Sequence, residues 1–134
     1  IAQMPMEASA IAAAKAMGAT YIVATARHPH QKAMAEVMGA DAVFGDDAAS
    51  ITAMAKATHG ADVVVETVGG HANTLQDALT VVAPGGRISV LGAFTQPVQI
   101  HPIMFFMKEV MIKGSNGSRM RHVAAALSAL EGDA

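Results

Sequence analysis

Histidine, carboxylate and cationic side chains are the residues of this sequence that could carry chemistry. Six histidines are present, at positions 28, 30, 59, 71, 101 and 122. No two of them have the spacing that would place two metal ligands on one helix face. Cysteine is absent, which excludes thiolate ligands and thiol nucleophiles. Asp46 and Asp47 are adjacent on a loop before a helix, where they are typical capping charges. We therefore predict no metal site and assign no catalytic residue.

One short stretch carries side chains suited to bind a phosphate group. Arg27 and His28 follow the apolar run Thr20–Ala26, and Lys32 comes one helical turn later. The planar guanidinium of Arg27 can bind a phosphate through two parallel hydrogen bonds, and Lys32 can add a second positive charge. A solvated arginine on a loop, with His28 capping the next helix, explains the same residues without a ligand. The residues alone leave both interpretations open.

The composition limits the classes of partner. The 134 residues are 52% hydrophobic and 4% aromatic, with ten methionines, which is typical of one compact domain with helices lying close to a sheet. The net charge of −2 provides no electrostatic footprint for nucleic acid or an anionic membrane. No apolar run reaches the roughly 20 residues that span a bilayer, and we expect no secretory signal. The absence of cysteine favours a cytoplasmic location.

Strand and helix patterns alternate along the whole chain. The strand candidates are Thr20–Ala26, Asp41–Phe44, Asp62–Val68, Arg87–Phe94 and Val110–Gly114. The helical candidates are the stretch ASAIAAAKAM before Gly18, then Pro29–Met38, Ser50–Thr58, Ala72–Val82, Pro102–Lys108 and Met120–Leu130. The strand interiors are nearly continuous apolar runs, which indicates strands covered on both faces. The pattern predicts one α/β domain over residues 1–134, with a mostly parallel sheet between two layers of helices.

Five motifs in register resemble a known family. They are AAAKAMGA, AEVMGADAVF, ADVVVETVGG, APGGRISVLGAF and VMIKGS, and the resemblance that they carry covers about residues 8 to 134. Together they resemble the cofactor-binding domain of medium-chain, zinc-type alcohol and polyol dehydrogenases. The resemblance implies a Rossmann-like, doubly wound sheet in the order 3-2-1-4-5-6, with a dinucleotide across the carboxyl ends of the strands. It also implies hydride transfer between a nicotinamide and a small alcohol or carbonyl substrate in the full enzyme. Zinc would lie in a catalytic domain outside this chain. We expect this chain alone to be inactive.

The start of the chain departs from the family pattern. The phosphate-binding loop of the family aligns with Ala2–Glu7, and this stretch contains no glycine. An ordinary helix start explains it better than phosphate binding, since Pro5 and Glu7 suit the first helical turn. Only Ile1–Met4 stand where the first strand belongs, so we expect a domain truncated before that strand, which is missing or vestigial. The alternative is a Rossmann-like remnant that oligomerises without binding a dinucleotide; a weaker one is a module for another nucleotide or an acyl group.

The resemblance assigns the cofactor-binding residues to turns after the strands. A carboxylate that binds the ribose hydroxyls is expected at the end of the second strand, and Ala26 stands there. Ala26 removes the charge that would repel a 2′-phosphate, whereas Arg27, His28 and Lys32 supply groups suited to one. These residues favour NADP over NAD as the cofactor.

Two later turns complete the predicted cofactor site. Val68 and Gly69 lie at the carboxyl end of the fourth strand, and Gly92 and Ala93 lie at the carboxyl end of the fifth. In the family the backbone at these places runs beside the cofactor, and glycine lets a ligand approach the main chain. Ordinary turns of a β-α fold would need the same glycines. The turn at 115–117 is a weaker candidate of the same kind.

The segment before the last strand predicts self-association. Val98 and Ile100 alternate with polar residues, and proline stands at 97 and at 102. An exposed edge strand pairs readily with its own copy across a two-fold axis. We therefore predict a homodimer through Val98–Ile103. In the alternative, Val98 and Ile100 fold back on their own sheet and the protein is a monomer.

Overall fold

In the computed structural model, the described residues are 6–70 and 72–114. Five helices and five strands alternate within these ranges. Their bounds are α1 Met6–Ala16, β1 Val23–Thr25, α2 Pro29–Met38, β2 Ala42–Phe44, α3 Ala48–Thr58, β3 Ala61–Glu66, α4 Thr74–Val81, β4 Val82–Val90, α5 Ile103–Lys108 and β5 Met111–Gly114. The predicted α/β class is confirmed. The stub at 1–4, the turn at 115–117 and the closing helix at 120–130 lie outside the described residues.

The chain divides into two compact units. Of the described residues, the first contains 6–43 and the second contains Phe44–Gly114. In the first unit β1 pairs with β2 in a two-stranded sheet. Its core consists of Ile11, Ile22 and Ala35, one each from α1, the approach to β1 and α2. The small side chain of Ala35, with Ala14, Ala24 and Ala40 packed against this core, lets the two helices lie close together.

The strand β1 is shorter than predicted. Before it, the backbone N–H of Ile22 donates to Oδ2 of Asp41 (2.8 Å), and the N–H of Asp41 donates to the carbonyl of Ile22 (2.7 Å). The side chain of Asp41 therefore takes the place of a backbone partner for Ile22, and regular pairing begins only at Val23.

The helix α2 has the bounds that its terminal proline and glycine predict. Pro29 lies in its first turn, and Gly39 lies at its end in the left-handed region, with φ 116°.

The second unit contains a parallel sheet in the order β3-β4-β5. These strands are the predicted strands four to six, and their order is the predicted one. β4 begins earlier than predicted because α4 passes directly into it at Val82. The register jumps from Ala61↔Val82 to Val63↔Arg87, so the Pro-Gly-Gly segment between Ala83 and Arg87 bulges out of the ladder. Regular pairing resumes at Arg87, where the sequence predicted the strand to start.

The core of the second unit lies between α4 and the sheet. Its buried members are Ala78, Leu79, Val82 and Ile88, and Leu79 is fully buried. Among the described residues the strands form these two separate sheets, not the one continuous sheet that the resemblance predicts. The strand expected at its centre would come from residues 1–4, outside the described residues. Within the same described ranges, every helix is too short or too polar to cross a bilayer.

Candidate functional site

The turn after β1 is held by the helix that follows it. Oε1 of Gln31 accepts hydrogen bonds from the backbone N–H of Arg27 (2.9 Å) and of His28 (3.1 Å). The imidazole rings of His28 and His30 stack with centroids 5.7 Å apart. The side chains of Arg27 and Lys32 are exposed, whereas Ala26 is half-buried. The structure thus fixes the backbone of this predicted site, and both of its cationic side chains are exposed at the surface.

A pocket of about 110 Å³ lies at the carboxyl end of β1, beside the start of α1. Its lining residues are Glu7, Ala8, Ile11, Thr25, His30, Gln31, Met34 and Ala35. Ligand pockets usually measure roughly 300–1,000 Å³, so this one is too small to hold a whole dinucleotide. Sequence reasoning missed Thr25, His30 and Gln31 as lining residues. The capping spacing from His28 to Gln31 is the signal that could have placed Gln31 at this turn.

The predicted turns after β3 and β4 touch each other. Gly69 has φ +65°, and a Cβ built on it would lie 2.5 Å from the backbone N of Ala93. A Cβ on Gly92 would lie 2.4 Å from the backbone N of Gly69. The N–H of Gly70 donates to the carbonyl of Ala93 (2.7 Å). The structure therefore brings Gly69, Gly92 and Ala93 together, and Val68 beside them is 63% exposed.

A buried carboxylate that sequence reasoning missed supports these turns. Oε1 of Glu66 accepts hydrogen bonds from the N–H of Val68 (2.7 Å), the N–H of Gly69 (2.8 Å) and the hydroxyl of Thr74 (2.8 Å). The residue is 4% exposed. In the sequence it is one residue of the predicted strand Asp62–Val68, and a glutamate that follows an apolar run ordinarily faces solvent. No local pattern distinguishes such a residue from a buried one that binds its own turn.

Asp47 has the capping role that was predicted for it. It is the N-cap of α3, and its carboxylate accepts hydrogen bonds from the backbone N–H and the hydroxyl of Ser50. These bonds lower the pKa of Asp47 below its usual value of 3.8, the side-chain bond contributing most. Among residues 6–70 and 72–114, no group of three or more histidine, aspartate or glutamate side chains could hold a metal ion. The described residues do not fit a zinc site, and we assign zinc to none of them.

The segment predicted to pair between subunits has no strand in the described structure. Ile100 packs against the core of the second unit, and the N–H of His101 donates to Oε1 of Gln76 on α4 (2.9 Å). Beyond it, Ile103 is 57% exposed and Phe106 is 84% exposed. The exposed apolar surface therefore begins at Ile103, at the end of the predicted segment.

The alternation of helices with parallel strands, and turns meeting at the strands' carboxyl ends, define a Rossmann-type domain. The sequence model described as zinc-binding dehydrogenase matches residues 8–131. The chain belongs to this family, in the part that forms the cofactor-binding domain, as the five motifs predicted.

Relatives and solved structures agree with this assignment. L-threonine 3-dehydrogenase of Coxiella burnetii (strain RSA 493 / Nine Mile phase I) is 32% identical over 119 residues, covering 87% of this chain and 34% of that protein. The 2R,3R-butanediol dehydrogenase from Bacillus subtilis is 30% identical with a TM-score of 0.75, covering 84% of this chain and 33% of that one. Alcohol dehydrogenase TADH from Thermus sp. ATN1 is 29% identical with a TM-score of 0.80, covering 94% and 37%. The chain spans about a third of the length of the curated relatives it matches.

Proposed function

We propose that this chain binds a nicotinamide dinucleotide, with NADP(H) preferred to NAD(H), as part of an alcohol dehydrogenase. The observation that carries the proposal is the pocket at the carboxyl end of β1, between the start of α1 and the turn that bears Arg27. Ligands of doubly wound folds bind outside the carboxyl ends of the strands, beside a helix start. We assign this pocket to the adenosine ribose. The residues around it would determine whether the ribose carries a 2′-phosphate or a 2′-hydroxyl.

The preference for NADP(H) follows from three side chains. Ala26 provides no carboxylate to bind the ribose hydroxyls or to repel a 2′-phosphate. Arg27 and Lys32 are exposed on the same turn and the helix after it, and an exposed guanidinium can bind a phosphate through two hydrogen bonds. A 2′-phosphate would add this interaction, and a 2′-hydroxyl would not.

Glu7 works against tight binding. It lies in the first turn of α1 and lines the pocket. A carboxylate stabilises this helix end but repels a diphosphate nearby. We therefore propose that the chain binds the adenosine ribose of the cofactor more tightly than the diphosphate. The turns Val68–Gly69 and Gly92–Ala93 of the second unit keep their predicted role beside the cofactor.

The whole protein would act on a small alcohol or carbonyl compound. The bound nicotinamide would supply or accept the hydride, while this chain's residues bind and orient the dinucleotide. The relatives are named for L-threonine and for 2R,3R-butanediol, both of which carry a hydroxyl group. Zinc would be held by a part of the enzyme other than the described residues.

We also propose that the protein is a homodimer through Val98–Ile103. The apolar stripe formed by Ile103, Phe106 and Met107 on α5 supports this, since all three side chains are more than half exposed. They stand at the spacing of one helix face. Ile100, in contrast, serves the core of its own subunit, so the contact between subunits would centre on Ile103.

A second candidate function is a Rossmann-like module that binds no dinucleotide, which Glu7 in the pocket favours. Thermal unfolding with NADPH, NADH and coenzyme A separates the two. A ligand that binds only the native state raises its stability, by about 2.7 kcal/mol at a hundredfold excess over Kd. We expect NADPH to raise Tm more than NADH and coenzyme A to leave it unchanged. If no dinucleotide raises Tm at millimolar concentration, the second candidate is correct.

A further inference from the structure

Glu66 contacts both turns that line the predicted site in the second unit. Its side chain binds the turn after β3 through the amides of Val68 and Gly69. Its carbonyl oxygen binds the turn after β4, accepting from the N–H of Leu91 (2.8 Å) and of Gly92 (3.1 Å). One residue therefore holds both turns, one through its side chain and the other through its main chain.

The second carboxylate oxygen of Glu66 is enclosed by the turn after β4. Among the described residues, Oε2 is buried without a hydrogen-bond partner. A Cβ built on Gly92 would lie 2.6 Å from it, so the backbone of Gly92 packs against the carboxylate and leaves no space for a side chain. Burying a charged oxygen without a partner costs free energy, and a carboxyl group serving only as a helix cap would turn that oxygen to solvent. The arrangement persists because three donors hold the other oxygen.

We propose that Glu66 is a positioning residue for the cofactor, acting through the turns Val68–Gly69 and Gly92–Ala93. This rests on the proposed function, because the two turns are those assigned to the dinucleotide. The carboxylate draws the amides of Val68 and Gly69 inward and keeps the exposed side chain of Val68 on the outer surface of the turn. The ligand then meets a preformed surface and does not have to order a mobile loop, which would weaken binding.

The test uses the full chain and three variants. Glu66→Gln keeps the size and removes the charge, Thr74→Val removes one donor, and Thr74→Ser restores that hydroxyl. The matched control is Glu109→Gln, the same change at an exposed position of the same unit. Amide hydrogen exchange is measured without ligand, and the Kd for NADPH is measured by calorimetry.

We expect Glu66→Gln to speed exchange of the Val68 and Gly69 amides about tenfold, with β4 and β5 as protected as in the control. We expect Glu66→Gln and Thr74→Val to weaken NADPH binding about tenfold, or about 1.4 kcal/mol, and Thr74→Ser to restore it. Unchanged exchange at Val68 and Gly69, or a uniform loss of protection through the sheet, would overturn the positioning role. Faster exchange with unaltered NADPH affinity would also overturn it.

Failure of the proposed function gives a different result. If the parent chain binds no dinucleotide, both the proposed function and the role of Glu66 in positioning the cofactor are wrong. The exchange data then still show whether Glu66 holds the two turns in place. Should Glu66→Gln fail to fold, the pair Thr74→Val and Thr74→Ser decides the question, because both keep the carboxylate.

Discussion

The ammonium group of Lys108 donates a hydrogen bond to the carbonyl oxygen of Val82, 2.8 Å away, where α4 passes into β4. It also donates to the carbonyls of Leu79 (2.8 Å) and Thr80 (3.0 Å). The last carbonyls of a helix lack partners within it, and a cation there is favourable. Lys108 thus connects α5 to the end of α4 and compensates for the direct passage of that helix into a strand.

Replacing Lys108 by methionine should destabilise the protein. The variant keeps most of the aliphatic stem and leaves these carbonyls without the ammonium, at a cost of about 1–3 kcal/mol. Burial lowers the pKa of Lys108. Urea unfolding at pH 7 measures the effect, and Lys113→Met at an exposed position of β5 is the control. Equal losses in the two variants would show that Lys108 is not a cap.

The stability of the protein should depend on pH through Asp47. Its pKa is lowered in the folded state by the bonds from Ser50, so its contribution is present above pH 3.8, the usual value, and is lost as pH falls through the folded pKa. Asp47→Ala should lower Tm at pH 7, and the difference from the parent should shrink below pH 3.8. Asp47→Asn keeps a capping oxygen at every pH. A Tm difference between Asp47→Ala and the parent that is constant from pH 7 to pH 3 would contradict this account.

The contact between the two glycine turns predicts different costs for neighbouring substitutions. Gly69 and Gly70 have nearly the same φ, +65° and +66°, but only at Gly70 would a Cβ meet nothing within 4 Å. Gly70→Ala should cost about 1–2 kcal/mol for the left-handed backbone. Gly69→Ala adds a collision with the backbone of Ala93, for a total of about 2–5 kcal/mol. Equal free energies of unfolding for the two variants would show that the turns are not in contact.

The homodimer can be tested without disturbing the core. Ile103→Lys changes a side chain that is 57% exposed, and Met17→Lys, at 78% exposure in the other unit, is the matched control. Light scattering at micromolar concentration should show a dimer for the parent and the control, and a monomer for Ile103→Lys, since a buried lysine at the contact loses its hydration. A monomeric parent would end the proposal.

The sequence predicted helix bounds best where proline and glycine at the ends of an element agree with its hydrophobic pattern. Pro29 and Gly39 mark α2 at both ends, and the structure ends the helix as they indicate. The resemblance to the dehydrogenase family predicted the order of the last three strands, and β3, β4 and β5 pair in that order. The end of α3 was also found, although His59 and not a glycine takes the left-handed conformation there, at φ 54°.

Long-range polar contacts could not be predicted in this way. Glu66 reads as a strand residue, and its burial depends on donors from its own turn and from α4. Lys108 reads as a solvated helix end, although its partners lie 26 to 29 residues away. Ile100 packs on the core of its own unit, a contact that the sequence predicted only as the alternative to pairing between subunits. Hydrophobic periodicity predicts which face of a helix or strand is buried. Only the folded chain shows which residues contact that face.

The central claim is that the chain binds a dinucleotide and prefers NADP(H). Calorimetry with NADPH and NADH at one salt concentration, on the parent and on Arg27→Glu, tests it most directly. We predict that the parent binds NADPH about tenfold more tightly, since a charge-assisted contact with the 2′-phosphate contributes on the order of 1.5 kcal/mol. Arg27→Glu should erase or reverse this preference. Equal affinity of the parent for the two dinucleotides would contradict the preference, and no binding of either would contradict the claim as a whole.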